Sequence, residues 1–421
     1  MPPSSVALGL DFGTTNSALA ICDGDGPARV LPLPGRAGAT ASYWRTVLCF
    51  EPATDDGPMR VTAGAPAIER YAASEGVARF LQSIKSHLAA ASFVDTRIFG
   101  RRFKVEELIA TYLRALREAA PIELGRRVVC GRPVRYWGAD GQADDDRAIA
   151  RMRAALALAG FDDVTFAAEP IAAAHAYAAR LDRAERVLIA DFGGGTSDFS
   201  VVEVGPGTAE VLAVSGVALA GDAFDARIID EVVAPALGKG SRYQVEFGAE
   251  AQVPSWIYNR LRRWHHLSML KSPDTTALLT RIVDGAGDPA GIDRLVRLID
   301  DDLGLPLHGA VERTKLALTS AAATRFDFAR PGVAIAGPVA RADFDGWIAP
   351  ELVAIDEAID EALATAGLPE AGIDRVFATG GSSLVPAVRA RLAARFGAAR
   401  LVGGEELTSV AAGLAEMAFR Q

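Results

Sequence analysis

Val187 to Ala190 form a short apolar run, Gly193-Gly194-Gly195 interrupt the chain, and a second apolar run extends to Val202. This pattern predicts two antiparallel strands joined by a tight turn, with Asp191 and Asp198 at its two ends. The same order recurs near the start, where Leu8-Gly9-Leu10 leads into Asp11-Phe12-Gly13-Thr14-Thr15-Asn16-Ser17 and another apolar run. An internal repeat of this kind predicts two lobes on one supersecondary plan.

Between and after the two copies the period changes. Residues 23 to 66 are rich in Gly, Pro, Asp and Thr and read as short strands and loops. Helical spacing then predicts helices over Ala67 to Leu88 and Glu106 to Ala119, around a loop at Gly100-Arg101-Arg102-Phe103. Arg126 to Gly131 reads as a strand stopped at Pro133. Asp144-Asp145-Asp146 precedes a predicted helix from Arg147 to Ala159, whose dipole favours such carboxylates by ~0.3 to 1 kcal/mol each, so the acidic run is assigned to the helix end and not to a metal. Glu169-Pro170 opens a helix through Arg180, with the Glu169 carboxylate just outside it and free to face a cleft.

Ala209 to Ser215 reads as a further strand, and a helix runs from Gly221-Asp222-Ala223-Phe224-Asp225 to about Ala236. Residues 237 to 311 show no clear period; Arg262-Arg263-Trp264-His265-His266 within them reads as an exposed amphipathic helix rather than a binding patch. Glu312 to Ser320 is a helix with Glu312 and Lys315 on one face. Another spans about Arg341 to Ala366. Arg375 to Thr379 is a strand that Gly380-Gly381-Ser382-Ser383 turns into a helix including Val385 to Phe396, and a last helix covers about Leu407 to Phe419. With no low-complexity linker, the lobes are expected to be joined by crossing helices.

Composition narrows the function classes. The chain has 421 residues and a net charge of -9, which argues against a nucleic-acid partner, since phosphate backbones call for a basic surface. No signal peptide or membrane span is predicted. Three cysteines, Cys22, Cys49 and Cys130, form no CxxC pair and are expected to be reduced, mostly buried and cytoplasmic. The five histidines lack metal-ligand spacing.

The glycine turns carry the chemistry. Glycines tolerate positive φ and let backbone N–H groups converge on phosphate oxygens, while Thr196 adds a hydroxyl. If the two turns face each other, one nucleotide fits between them. Asp11, Asp191 and Asp198 would then lie within a few ångströms. Like charges ~4 Å apart cost ~1 to 4 kcal/mol per pair, so the cluster asks for a cation, and oxygen ligands beside phosphate point to magnesium.

These residues resemble the superfamily of actin, sugar kinases and heat-shock protein 70 (DnaK-type) chaperones, and are most similar to the last. Asp11 to Ser17 resembles that family's first phosphate motif, Asp191 to Asp198 its second, and Gly380 to Ser383 its adenosine motif. Ala168 to Ala174 resembles the connecting segment, and Glu312 to Lys315 the adenosine-side helix. The resemblance implies an α/β fold of two lobes, each built on a ribonuclease-H-like, actin-type mixed sheet with helices, and a nucleotide cleft between them. The lobes are expected at 1–186 and 187–421, the second with an enlarged helical subdomain at 226–340.

It implies ATP or ADP contacts from Gly13, Thr14, Thr15, Asn16, Gly193, Gly194, Gly195, Thr196, Gly221, Asp222, Glu312, Lys315, Gly380, Gly381 and Ser382. Asp11, Asp191 and Asp198 are the implied magnesium residues, with potassium beside them. The implied catalytic set is Lys85, Glu169, Asp191 and Thr196, with Lys85 positioning water and the terminal phosphate and Glu169 orienting that water. Pro133 resembles a proline that relays nucleotide state, with Arg147 as its candidate partner.

Some features depart from the pattern. With the sequence ending at Gln421, the family's peptide-binding domain is expected to be absent, as in the short YegD-like members. Leu384 stands where the family often places an arginine against adenine, and Leu316 occupies another position that is sometimes arginine. The expected function is a slowly hydrolysing ATP switch, monomeric and cytoplasmic, that controls a protein partner or client. The alternatives are a sugar or polyol kinase, with Asp222 as a candidate base, and a non-catalytic nucleotide-dependent scaffold.

Overall fold

The computed structural model describes residues 6–24, 26–35, 38–54, 57–74, 77–136, 138–139, 141–178, 181–206, 208–245, 249–263, 270–402 and 409–420. Two compact units make up the chain: Met1–Ala218 with Asp356–Ser383 and Ala390–Gln421, and Leu219–Ile355 with Leu384–Arg389.

The first unit holds two principal sheets. In one, the order is Asp163–Ala168, Arg127–Arg132, Ala7–Phe12, Asn16–Cys22, Arg29–Val30, with Trp44–Arg45 also on Asn16–Cys22. Its first two pairings are parallel and the rest antiparallel. Alternation along the strands explains why both faces are covered. Leu8, Leu10, Phe12, Leu19 and Ile21 point to one side, where Ile109, Tyr112 and Leu113 of the helix Val105–Ala119 and Met152 and Leu156 of Gln142–Leu158 cover them. Ala7, Ala18, Ala20 and Cys22 point to the other, against Ala411, Leu414, Ala415 and Ala418 of the last helix, Ser409–Arg420.

Small residues on that second face let the helix backbone settle onto the sheet. A Cβ on Gly9 would lie 2.4 Å from the Ala411 carbonyl oxygen, and one on Gly413 would lie 1.8 Å from that of Ala172. Either alanine substitution would force the helix off its bed, at a cost of ~1 to 3 kcal/mol.

The second sheet repeats the plan with the order Thr208–Val217, Ser197–Gly205, Glu185–Phe192, Arg375–Thr379, Leu401–Val402. Glu185–Phe192 pairs antiparallel with Ser197–Gly205 and parallel with Arg375–Thr379. Both sheets are therefore mixed, as the α/β expectation required.

Several local expectations are corrected. Ala67 to Leu88 is not one helix: a helix at Gly64–Ala72 is followed by a strand at Arg79–Gln82 and a 3-10 turn at Ile84–His87. Arg79–Gln82 pairs with Val47–Glu51 and buries Phe80, so a sheet edge outweighs local helical spacing. Gly100 to Phe103 is not a loop, because Thr96–Ile98 and Arg101–Phe103 form a hairpin. The helix expected from Arg147 begins at Gln142, which puts the aspartates inside its first turns. There Asp145 accepts the Tyr136 N–H at 2.8 Å and Asp144 pairs with Arg147, so local partners account for the run. Glu169 is the first residue of its helix, Glu169–Ala178, and not outside it.

In the second unit, Gly221–Ile228 continues through a π-helical turn, Ile229–Val233, into Ala234–Ala236. The segment without a clear period contains the hairpin Arg242–Gln244 with Glu250–Gln252 and the helices Ser255–Leu261, Pro273–Gly285 and Pro289–Asp300. Arg262 follows the first of these helices and, itself exposed, pairs at 2.8 Å with buried Asp230; Trp264, His265 and His266 lie outside the described residues. The helix expected from Glu312 starts at Gly304 and ends at Ser320. An unexpected hairpin, Ala323–Arg330 with Val333–Ala340, buries Phe326, Phe328, Val333, Ile335 and Val339 on one face.

The unit boundary at Ile355 and Asp356 falls inside the helix Ala349–Ala366. All three cysteines are free and buried. Among the described residues no helix is long and apolar enough to cross a membrane.

Candidate functional site

The two glycine turns end their hairpins in the same way. Phe12 opposes Ser17 in the first, and Phe192 opposes Ser197 in the second. Neither Gly13 nor Gly193 adopts the left-handed conformation expected of them. Their need for glycine is close approach: a Cβ on Gly13 would lie 2.2 Å from the Asn16 carbonyl oxygen, and one on Gly193 would lie 3.2 Å from that of Thr196. The Gly193 N–H donates to Thr196 O at 2.9 Å and closes the second turn. Among the described residues, the amides of Thr14, Thr15, Gly194 and Gly195 find no acceptor, so both turns present N–H groups to an anion. Asn16 Oδ1 is also buried without a partner.

Carboxylates gather beside these amides in the first unit. Asp191 and Asp198 are cross-strand partners, while Asp11 opposes Ala18. Thr379 Oγ1 donates to Asp191 Oδ1 at 2.8 Å, and Thr196 Oγ1 donates to Asp198 Oδ2 at 2.9 Å. Lys85 Nζ pairs with Glu169 Oε1 at 2.8 Å, their side chains only 11% and 17% exposed. Lys85 therefore sits in a 3-10 turn against Glu169 and not on a solvated helix.

The electrostatics follow from burial and from too few cations. Loss of water, then Glu169 and Asp191, raises Asp11 to about 8 against the opposing pull of Lys85. Loss of water, then Glu169, also raises Asp191. Asp198 is raised to about 7 by loss of water and by Asp191, although its side chain reaches solvent and screening discounts the shift. Burial draws Lys85 down, but Glu169 and then Asp11 more than offset this and hold the ammonium above its ordinary value.

This donor set suits a hard cation. Four carboxylates share a single lysine, and two amide-rich turns stand ready for phosphate. Among the described residues, no three His, Cys, Asp or Glu side chains close around one point. A divalent ion would thus take few protein oxygens and complete its shell with water and phosphate, the habit of magnesium.

The Gly380 motif meets the second turn directly. Gly380 has φ +80°, and a Cβ there would strike Phe192 O at 2.2 Å. Ser382 Oγ donates to Gly193 O at 3.1 Å, and Ser383 Oγ is buried without a partner.

Within the second unit, Lys315 does not pair with Glu312 on its own helix. Its ammonium bonds Asp225 Oδ2 at 2.9 Å and Gly221 O at 3.3 Å. Burial raises Asp225 to about 6 despite Lys315. Asp222 and Glu312 are exposed, as are Leu316 at 60% and Leu384 at 40%.

Residues missed in the sequence include Thr379, which holds Asp191, and Tyr136, which lies beside Lys85 and is raised by burial against that lysine's pull. Asp225 was also missed, although it lies four residues past Gly221 on the same helix. Arg147 bonds Asp144 and the Ala89 carbonyl.

A model of the family described as Hsp70 protein matches residues 69–252 and 288–418. The first glycine turn precedes the matched residues, while Lys85, Glu169, the second turn, Lys315 and the Gly380 motif all fall within them. The match takes in most of the chain, which therefore belongs to the Hsp70 protein family as an ATPase-type nucleotide-binding domain of the actin-like class.

Proposed function

We propose that this chain binds ATP with magnesium, hydrolyses it slowly, and uses the nucleotide state to govern a protein partner. The observation that carries this reading is the Lys85–Glu169 pair, largely buried and electrostatically coupled to Asp11 and Asp191. Transfer of a phosphoryl group to water needs little covalent help, so positioning and charge stabilisation are the protein's contribution.

The free amides of Thr14, Thr15, Gly194 and Gly195 bind and orient the phosphates. Lys85, kept protonated by Glu169 and Asp11, places positive charge where the terminal phosphate develops negative charge. Glu169 accepts from Lys85 through Oε1, leaving its second oxygen to orient the attacking water. Asp11, Asp191 and Asp198 would hold a magnesium ion partly through its waters, and the ion would supply charge neutralisation. Asp191 keeps its orientation through Thr379, and Thr196 does the same for Asp198. For the adenosine, Gly380, Gly381 and Ser382 are the proposed residues of the first unit, and Gly221, Asp222, Glu312 and Lys315 are those of the second, each taken by itself.

The lobes 1–186 and 187–421 remain our functional division, because each begins a mixed sheet with one glycine hairpin. Free buried cysteines support a cytoplasmic setting. Phosphate release by purified protein in magnesium-ATP, followed with and without added polyols, tests the proposal. Slow release that no polyol stimulates is expected; absence of nucleotide binding at millimolar ATP would sink the idea.

A further inference from the structure

We propose that the hairpin Thr96–Ile98 with Arg101–Phe103 is a docking element for a protein segment that is acidic and carries an apolar side chain. The base of this hairpin is anchored: Ile98 and Phe103 are buried, and the Phe103 ring meets Phe50 at 5.3 Å. Its outer face and tip break three rules that stability alone would enforce.

First, the turn residues Phe99 and Gly100 have φ +46° and +81°. Two positive φ values mark the tight hairpin turn that selects Asn, Asp or Gly at its first position, and a bulky aromatic is strained there. Second, that aromatic gains only partial burial in return, since Phe99 is 43% exposed. Third, Arg97 and Arg102 are direct cross-strand partners, and like charges placed opposite each other repel.

Arg102 reaches Asp95 at 3.4 Å, whereas Arg97 has no carboxylate partner among the described residues. Arg101 lies over the Phe103 ring at 5.5 Å and leaves the outer face to the other two. Local rules broken together and only partly compensated, by Asp95 on Arg102, mark a place selected for something other than folding. Two arginines beside a projecting aromatic match carboxylates flanking an apolar group. The chain's net charge of -9 disfavours a nucleic acid as the anion, because its continuous phosphate charge would meet repulsion beyond this small basic face. The inference is independent of the nucleotide reading.

The test uses the full chain without nucleotide and a fluorescein-labelled peptide repeating Glu-Glu-Leu, followed by anisotropy at near-physiological salt. A Gln-Gln-Leu peptide and poly(U) RNA serve as competitors of different chemistry. The Glu-Glu-Leu peptide is expected to bind, with affinity falling about tenfold in R97E/R102E and about fivefold in Phe99→Asn. Asn fits the left-handed turn, so Phe99→Asn should raise the Tm by about 2–4 °C while weakening binding, which a purely structural role for Phe99 cannot produce. The proposal is overturned by a lower Tm for Phe99→Asn, by no peptide binding at millimolar concentration, by binding indifferent to both variants, or by poly(U) binding as tightly as the peptide.

Discussion

In the first glycine hairpin Asp11 faces Ala18 across the strands, whereas in the second Asp191 faces Asp198. The second turn supplies its own support, with Thr196 on Asp198 and Thr379 of the neighbouring strand on Asp191. Among the described residues the first has no such hydroxyls on its carboxylate, and the charge around Asp11 comes from Glu169, Lys85 and Asp191, which belong to other elements. One repeated backbone plan has thus acquired two electrostatic settings. On our reading both hairpins supply carboxylates to the cation, two from the second and one from the first, and it is beside the first that lysine and glutamate act on phosphate and water.

Changes that strike one side and spare the other can break this division. Lys85→Met should have the largest effect, lowering the rate of phosphate release by about 10² to 10³-fold while leaving ATP binding within a few-fold. Single-turnover hydrolysis beside calorimetric titration separates the two quantities, and unchanged hydrolysis would remove the catalytic role from the first side.

Next come the turn glycines themselves. Gly13→Ala puts a methyl 2.2 Å from a backbone oxygen and should cost ~2 to 3 kcal/mol in urea unfolding, whereas Gly193→Ala, at 3.2 Å, should cost ~1 kcal/mol or less. Equal losses would mean that the two turns are not distinguished by packing.

Asp198→Asn tests the second hairpin's hold on the cation. It should raise the magnesium concentration needed for half-maximal ATP turnover about tenfold, with little change in the maximal rate. A loss of maximal rate without a change in magnesium dependence would reassign the residue.

The smallest expected effect concerns pH. Asp11 is raised to about 8 in the folded chain, from an ordinary value near 3.8. A carboxylate raised on folding stabilises the fold while it is protonated, and that contribution is lost as pH climbs through the folded value. Without nucleotide or divalent cation, the wild-type protein should therefore lose ~1 kcal/mol relative to Asp11→Asn between acidic pH and pH 8, a figure discounted because Asp11 is partly open to water. Thermal unfolding of both proteins across that range supplies the comparison. Parallel curves would show that Asp11 is not held against its charge.

Much of this comparison was already written in the chain. Apolar runs around Asp11-Phe12-Gly13 and Asp191-Phe192-Gly193 predict both hairpins, because strand period and turn residues are local properties. Lys85 shows the limit of such reading. Its segment has helical spacing, yet Phe80 five residues earlier pairs into a sheet with Val47–Glu51, and the lysine emerges in a 3-10 turn against Glu169. Lys315 shows the same limit, since the residue three positions back on its helix is not its partner; Asp225, ninety residues away in sequence, is.

The sequence by itself determined the two glycine turns and their carboxylates, which follow from bonds and periods within a few residues. Only the tertiary structure decided which lysine meets which carboxylate and that the last helix lies on the first sheet through Gly9 and on the helix Glu169–Ala178 through Gly413. It also left Phe99 exposed at a strained turn beside opposed arginines. Those outcomes depend on burial and close packing between segments distant in the chain, where the energy of a contact is set by its surroundings and not by its neighbours in sequence.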